Sequence, residues 1–170
     1  PSIGGAGKGH LVYEIDALGG QMGVAADMAT LQSRTLNLGK GAAVHSKRIQ
    51  ADRQLYRSIM KHTLEEQENL RLIQAEIVDL GCEEIDGERH IKSVTTMLGE
   101  VWEVRCAIIC AGTFLSSEIF VGNISYESGP DGLMPAKGLS DALRREGIAL
   151  MRFKTGTPAR VKRSTIDFSR

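Results

Sequence analysis

The residues best suited to chemistry stand at the start of the chain, in Gly4-Gly5-Ala6-Gly7-Lys8-Gly9. A phosphate-binding P-loop needs a glycine where this chain has Ser2 and a hydroxyl residue after the lysine where it has Gly9. The dinucleotide pattern G-x-G-x-x-G fails at its third glycine, which is His10. What remains is a glycine loop opening onto a helix, where unpaired N–H groups and the helix dipole favour a phosphate or a flavin; a plain connection is the alternative. Asn37, Lys40 and Gly41 form a second polar, glycine-containing cluster, read either as the approach to a helix or as an anion or nucleotide contact.

Other chemistries find less support. His10, His45, His62 and His90 have no metal-ligand spacing, so no metal site is expected. Cys82, Cys106 and Cys110 match neither a dithiol nor a zinc motif and are expected as small core residues. No Ser/His/Asp set can be drawn without geometry, and no catalytic residue is assigned.

These loops need elements to hold them. Leu11, Val12, Ile15 and Leu18 share a helical face, closed by Gly19-Gly20. A second helix is expected over residues 21–30, then an irregular or short-strand connection to Lys40. Ser46 is read as the cap of a long helix through Ile49, Leu55, Ile59 and Leu64 to about Glu66. From Leu70 the period becomes that of strands, and Asp86-Gly87 and Leu98-Gly99-Glu100 are turns, which together predict a β-meander. The apolar run at residues 107–111 reads as a strand buried on both faces, with a ligand expected at its glycine end, Gly112-Thr113. Residues 128–132 read as a loop and domain edge, Ser140 as the cap of a short helix ending at Gly147, and residues 148–153 as a strand.

The 170 residues carry 21 basic and 21 acidic side chains and are 42% hydrophobic, values of an ordinary globular chain rather than a strongly basic nucleic-acid binder. Charge is nevertheless segregated. Residues 34–61 are mainly basic, residues 65–88 mainly acidic, and the last segment is basic again, so local surfaces can meet phosphate. No apolar run is long enough to span a bilayer and no signal peptide is visible, so a cytoplasmic protein is the expectation.

Taken together, these words are more specific than any one loop. Ile3-Gly4-Gly5-Ala6-Gly7-Lys8-Gly9-His10-Leu11-Val12 and Glu14-Ile15-Asp16-Ala17-Leu18-Gly19-Gly20 resemble a segment of the MnmG (GidA) family. Leu36-Asn37 with Lys40-Gly41, Ala43-Val44-His45-Ser46 and Gln50-Ala51-Asp52-Arg53 resemble its next block, and Lys154-Thr155-Gly156-Thr157-Pro158 with Thr165-Ile166-Asp167-Phe168-Ser169 a third. The resemblance implies an α/β fold: part of a two-dinucleotide-binding flavoprotein, a Rossmann-like FAD domain with a β-meander over residues 1–122, lacking its first βαβ unit, then the start of an inserted domain over residues 123–170.

It also implies an FAD enzyme forming a 5-(carboxymethyl)aminomethyl-type uridine at the wobble position of tRNA. NADH is the expected reductant, a folate the one-carbon donor, a tRNA-modification GTPase the partner, and a homodimer the full-length state. The cofactor-binding residues so implied are Gly4, Gly5, Gly7, Lys8, Asn37, Lys40, Gly41, Ile77, Gly112, Thr113 and Ala136. Ile77 falls at a backbone contact to the flavin nucleotide, Gly112 and Thr113 in the second glycine motif, and Ala136 where relatives carry a serine. Ala42, Lys47 and Ile49 depart from the family pattern as well. The family's first glycine fingerprint and Cys-Asn-Pro precede the matched region, so the three cysteines present are not catalytic candidates, and the chain alone is expected not to hold FAD tightly. The alternatives are a flavin- or NAD-dependent reductase without an RNA substrate, and a non-catalytic RNA-binding fragment.

Overall fold

The computed structural model describes residues 2–156 and 161–169, which fall into two compact units, residues 1–73 and 74–170. The class is α/β. The boundary read from sequence at residue 122 lies inside the second unit.

In the first unit, β1 (Ser2–Gly4) leads through the glycine loop to α1 (Gly9–Ala17), α2 (Gln21–Met28), β2 (Thr30–Leu36), β3 (Ser46–Ala51) and α3 (Arg53–Glu65). The sheet order is β1-β3-β2, antiparallel throughout. Gly19 ends α1: at φ +84° it turns the chain so that Gly20 N–H donates to the Ile15 carbonyl at 2.9 Å. The core is made of small residues. Ala25, Ala26 and Ala29 are 2%, 1% and 1% exposed and sit with buried Ile49 and Ala51. Alanine lets helix and strand backbones approach closely, and Asp52 N–H donates to the Ala29 carbonyl at 2.8 Å across that contact.

The connection after α2, read as irregular or short strand, is a seven-residue strand, β2. One reading of this unit is corrected: the expected long helix from Ser46 is a strand followed by a shorter helix. Asp52 divides them. Its backbone is extended and its carboxylate accepts from Gln54 N–H and Leu55 N–H, both at 2.9 Å, so the cap is Asp52 and not Ser46. Ser46 is instead buried in the sheet.

In the second unit, β4 (Ile77–Ile85), β5 (Glu88–Thr96) and β6 (Val101–Glu103) form the expected meander, in the order β4-β5-β6. Asp86 and Gly87, at φ +53° and +81°, make its first turn, since both central positions of a two-residue hairpin loop need positive φ. A second hairpin, β7 (Glu118–Val121) and β8 (Ile124–Glu127), follows, and α4 (Leu139–Arg145) buries Leu139, Ala142 and Leu143 beside β4.

Four further expectations fail here. Residues 107–111 and 148–153 form no strand. Ile108 is 87% exposed: an apolar run becomes a buried strand only where neighbouring strands take up its N–H and C=O groups, and among the described residues none does. The cap of α4 is Gly138, while Ser140 is buried inside the helix. Cys106 and Cys110 are exposed and Cys82 is half-buried, so the cysteines are not core residues. Among the described residues no helix is long and apolar enough to cross a membrane.

Candidate functional site

The two polar loops of the first unit meet at the beginning of β3. Gly4 pairs with Arg48 on one side of that strand and Leu36 pairs with Ser46 on the other, which brings the glycine loop and the Asn37 loop to the same end of the sheet. Gly5 N–H donates to the Lys47 carbonyl at 2.8 Å, and the Ser46 hydroxyl donates to the Gly5 carbonyl. The same carbonyl accepts from Lys8 N–H at 3.1 Å and Gly9 N–H at 2.8 Å, forming the turn that starts α1.

The second loop is held by its own side chains. Asn37 adopts φ +63°, which asparagine tolerates better than most residues, and its amide donates to the Val44 carbonyl at 3.1 Å. His45 Nε2 donates to the Lys40 carbonyl at 3.0 Å. Lys8, Lys40 and Gly41 are all exposed.

The glycines do different jobs. A Cβ on Gly4 would lie 2.3 Å from the Lys47 carbonyl oxygen, and one on Gly9 would lie 2.7 Å from Ser46 Oγ, so both serve packing within the chain. Gly7 (φ +70°) and Gly112 (φ +55°) have nothing within 4 Å of such a carbon, nor does Gly41. Open space beside bare backbone, with lysines on the loops, fits the close approach of a phosphate or flavin ring. By contrast, the cleft between the sheet and helices α1 and α2, lined by Ile3, Val12, Tyr13 and Asp16 among others, holds only about 100 Å³. That is well below the roughly 300 Å³ at which ligand pockets begin, so it cannot enclose a dinucleotide.

In the second unit the structure brings Ile77, Gly112, Thr113 and Ala136 into one neighbourhood. Ala136 N–H donates to the Phe114 carbonyl and Ser116 N–H to the Ala136 carbonyl, each at 2.9 Å, so the segment after Gly112-Thr113 runs parallel to Ala136. Beside Ile77, the Glu76 carboxylate accepts from Lys137 N–H at 3.3 Å, and Gly138 packs on Val78. Gly138 has φ +90° and would place a Cβ 3.0 Å from the Val78 carbonyl oxygen, which makes glycine the residue that lets α4 reach β4. Ser116 Oγ donates to Ser140 Oγ at 3.0 Å. Glu76 and Ser116 were not singled out from the sequence, and Ser140 was read only as a helix cap; adjacency to Ile77 was the one signal toward this site, and it concerned Glu76 alone.

Away from these loops, Glu146 pairs with Arg89 and Asp79 with Arg145, joining the end of α4 to the meander. The hydrogen bond from Arg89 holds the Glu146 carboxyl below its ordinary range, and burial, with a hydrogen bond to Glu146, pushes the Cys82 thiol up. A raised thiol is a poor nucleophile at neutral pH. Near the end of the chain, the Ser169 hydroxyl and N–H hold Asp167 below its ordinary range. Thr157, Pro158 and Arg160 lie outside the described residues.

Comparison with known proteins places these features among relatives. The sequence profile of the family described as Glucose inhibited division protein A matches residues 1–170. A tRNA uridine 5-carboxymethylaminomethyl modification enzyme MnmG of Clostridium novyi is 52% identical over 170 residues, covering 100% of this chain and 26% of its own. The enzyme of the same name from Finegoldia magna is 51% identical over 168 residues, covering 99% of this chain and 26% of its own. A crystal structure of Aquifex aeolicus GidA superimposes with a TM-score of 0.83 at 45% identity, over 99% of this chain and 27% of that one. The chain thus spans about a quarter of the length of the relatives it matches.

Proposed function

The chain belongs to the Glucose inhibited division protein A family, and from that premise we propose that it is part of an FAD-dependent enzyme that modifies the wobble uridine of tRNA. The observation that carries this reading is identity of about half over the whole chain to enzymes named for tRNA uridine 5-carboxymethylaminomethyl modification. FAD, when bound, supplies the redox chemistry, and the protein supplies position and charge. Gly7 and Gly41 give backbone access to the cofactor, Gly5 holds the loop in place through its bonds to Lys47 and Ser46, and Lys8 and Lys40 balance negative charge on the cofactor. Separately, Ile77, Gly112, Thr113 and Ala136 are assigned to its nucleotide portion, with Ala136 contributing backbone only, since it has no hydroxyl.

The reaction read for the whole enzyme joins a (carboxymethyl)aminomethyl group to C5 of the uridine, with a folate as one-carbon donor, NADH as reductant and a tRNA-modification GTPase as partner. A homodimer working in the cytoplasm completes the reading. The test is a chimera in which these 170 residues replace the matching segment of the Clostridium novyi enzyme. Expressed in cells lacking their own enzyme, it is expected to restore the modified wobble nucleoside, measured by mass spectrometry of digested tRNA. A soluble chimera that carries FAD yet leaves the uridine unmodified would overturn the reading.

A further inference from the structure

Helices α1 and α2 cover one face of the β1-β3-β2 sheet, and on the other the Leu36-Ser46 row is buried at its Ser46 end while the rows beyond it are open among the described residues. Ile3, Lys47 and Ile49 line the cleft against α1 and α2, together with Val12 and Ala26. Because side chains alternate along a strand, the other face carries Ser2, Gly4, Gln32, Arg34, Arg48 and Gln50. The register arranges these in two rows, Ser2-Gln50-Gln32 and Gly4-Arg48-Arg34. Ser2, Gln32, Arg34, Arg48 and Gln50 are all exposed.

Arg34 and Arg48 are direct cross-strand partners, and like charges placed directly opposite each other destabilise a sheet. No acidic residue stands in either row. Lys61, Arg89, Lys137, Arg144 and Arg145 each have a carboxylate partner, but among the described residues neither Arg34 nor Arg48 has one. Among the described residues Arg48 bonds to the Ser2 hydroxyl, at 3.4 Å. Gly4 has no side chain, so the flank of Arg48 opposite Arg34 is left clear.

We propose that this face is a contact surface for the backbone phosphates of RNA, with Arg34 and Arg48 as its phosphate clamp. Guanidinium groups match phosphate oxygens in a two-bond fork, and a phosphate set between two of them removes their mutual repulsion. Gln32, Gln50 and Ser2 add neutral donors, as phosphate and ribose contacts use. The face is exposed along both rows, which suits a chain of phosphates that lies across it. The choice of RNA as the polyanion rests on the tRNA reading above.

The experiment measures binding of a fluorescently labelled, unmodified tRNA transcript to the protein by anisotropy across a salt series. Two lost phosphate contacts should make the slope of log K against log salt shallower by about 1.4–1.8 in the variant R34Q/R48Q. R34K/R48K, which keeps the charge, should keep the slope. K61Q/R144Q, which removes two cations from other surfaces, should leave it unchanged. The thermal midpoint of R34Q should be no lower than that of the parent, because a like-charge contact is relieved; weaker binding with undiminished stability is not the signature of a merely structural residue.

An unchanged slope in R34Q/R48Q while the parent binds the transcript would sink the proposal and leave the tRNA reading standing. Should the double variant fail to fold, R34Q and R48Q singly are each expected to shift the slope by about 0.7–0.9, and no shift in either sinks it equally. Absence of transcript binding by the parent overturns the proposal, and the chimera then decides the tRNA reading by itself. Displacement of the transcript by equimolar FAD, with R34Q/R48Q losing FAD binding, would reassign the face to the cofactor.

Discussion

The Ser46 hydroxyl donates to the Gly5 carbonyl, two residues 41 positions apart in sequence, and so fastens the glycine loop to the first residue of β3. That carbonyl also accepts from Lys8 and Gly9, so removing the hydroxyl does not leave it unsatisfied. Ser46→Ala is therefore expected to cost about 0.5–1.5 kcal/mol, the net worth of an ordinary hydrogen bond, without the larger penalty of an orphaned buried acceptor. Urea unfolding of the two proteins measures it, and a loss of more than about 3 kcal/mol would show that the serine carries more of the loop than this bond.

Glycine substitutions should separate backbone packing from backbone conformation. Gly4→Ala meets the Lys47 carbonyl oxygen at 2.3 Å and must also hold φ +84°, whereas Gly7→Ala meets nothing within 4 Å and has only its φ of +70° to bear. The second change is expected to cost about 1–2 kcal/mol, the penalty of a left-handed alanine. The first should cost distinctly more, because the clashing atom is backbone in a paired strand. Equal midpoints in thermal unfolding would contradict the assignment.

Glu146 and Cys82 make a prediction in pH. The Glu146 carboxyl is held below its ordinary range in the folded protein, so its contribution to stability is present above the ordinary value and is lost as pH falls through the lowered one. Glu146→Gln should flatten the acid limb of stability against pH in that window, measured by unfolding at stepped pH. Cys82, raised by burial and by its hydrogen bond to Glu146, should be alkylated by iodoacetamide more slowly than exposed Cys106 and Cys110. The same substitution should quicken it, and mass spectrometry of partly alkylated protein would show a wrong assignment as equal rates at all three thiols.

What could be read in advance depended on whether the signal was local. Asp86-Gly87 declares a hairpin by itself, because its backbone conformation is rare for other residues, and the meander followed from it. Gly19-Gly20 ended α1 for the same reason. β3 was hidden because Ile49 falls in step with Tyr56 and Met60, seven and eleven residues on, extending an apparent helical period backward across Asp52. Residues 107–111 misled in the opposite sense: their composition suits a buried strand, but burial depends on neighbours that an apolar run does not specify. The two loops at the head of β3 were each marked by their glycines, while Ser46, which bonds to the first of them, was read as a helix cap. Its true partner, Gly5, lies outside any local pattern.

The pairing of β3 with β1 also orders events during synthesis. The two-residue turn at Asp86-Gly87 lets β4 and β5 pair soon after both have left the ribosome, on the microsecond scale typical of hairpins. β1 has no partner so close among the described residues: Ser2 pairs with Gln50, 48 positions later, so this pairing waits until β3 has been made. At roughly 5–20 residues per second, that wait lasts seconds, a million-fold longer than the hairpin needs. Both outer strands of that sheet therefore wait on β3, β1 for longer than β2 because more chain separates it from its partner.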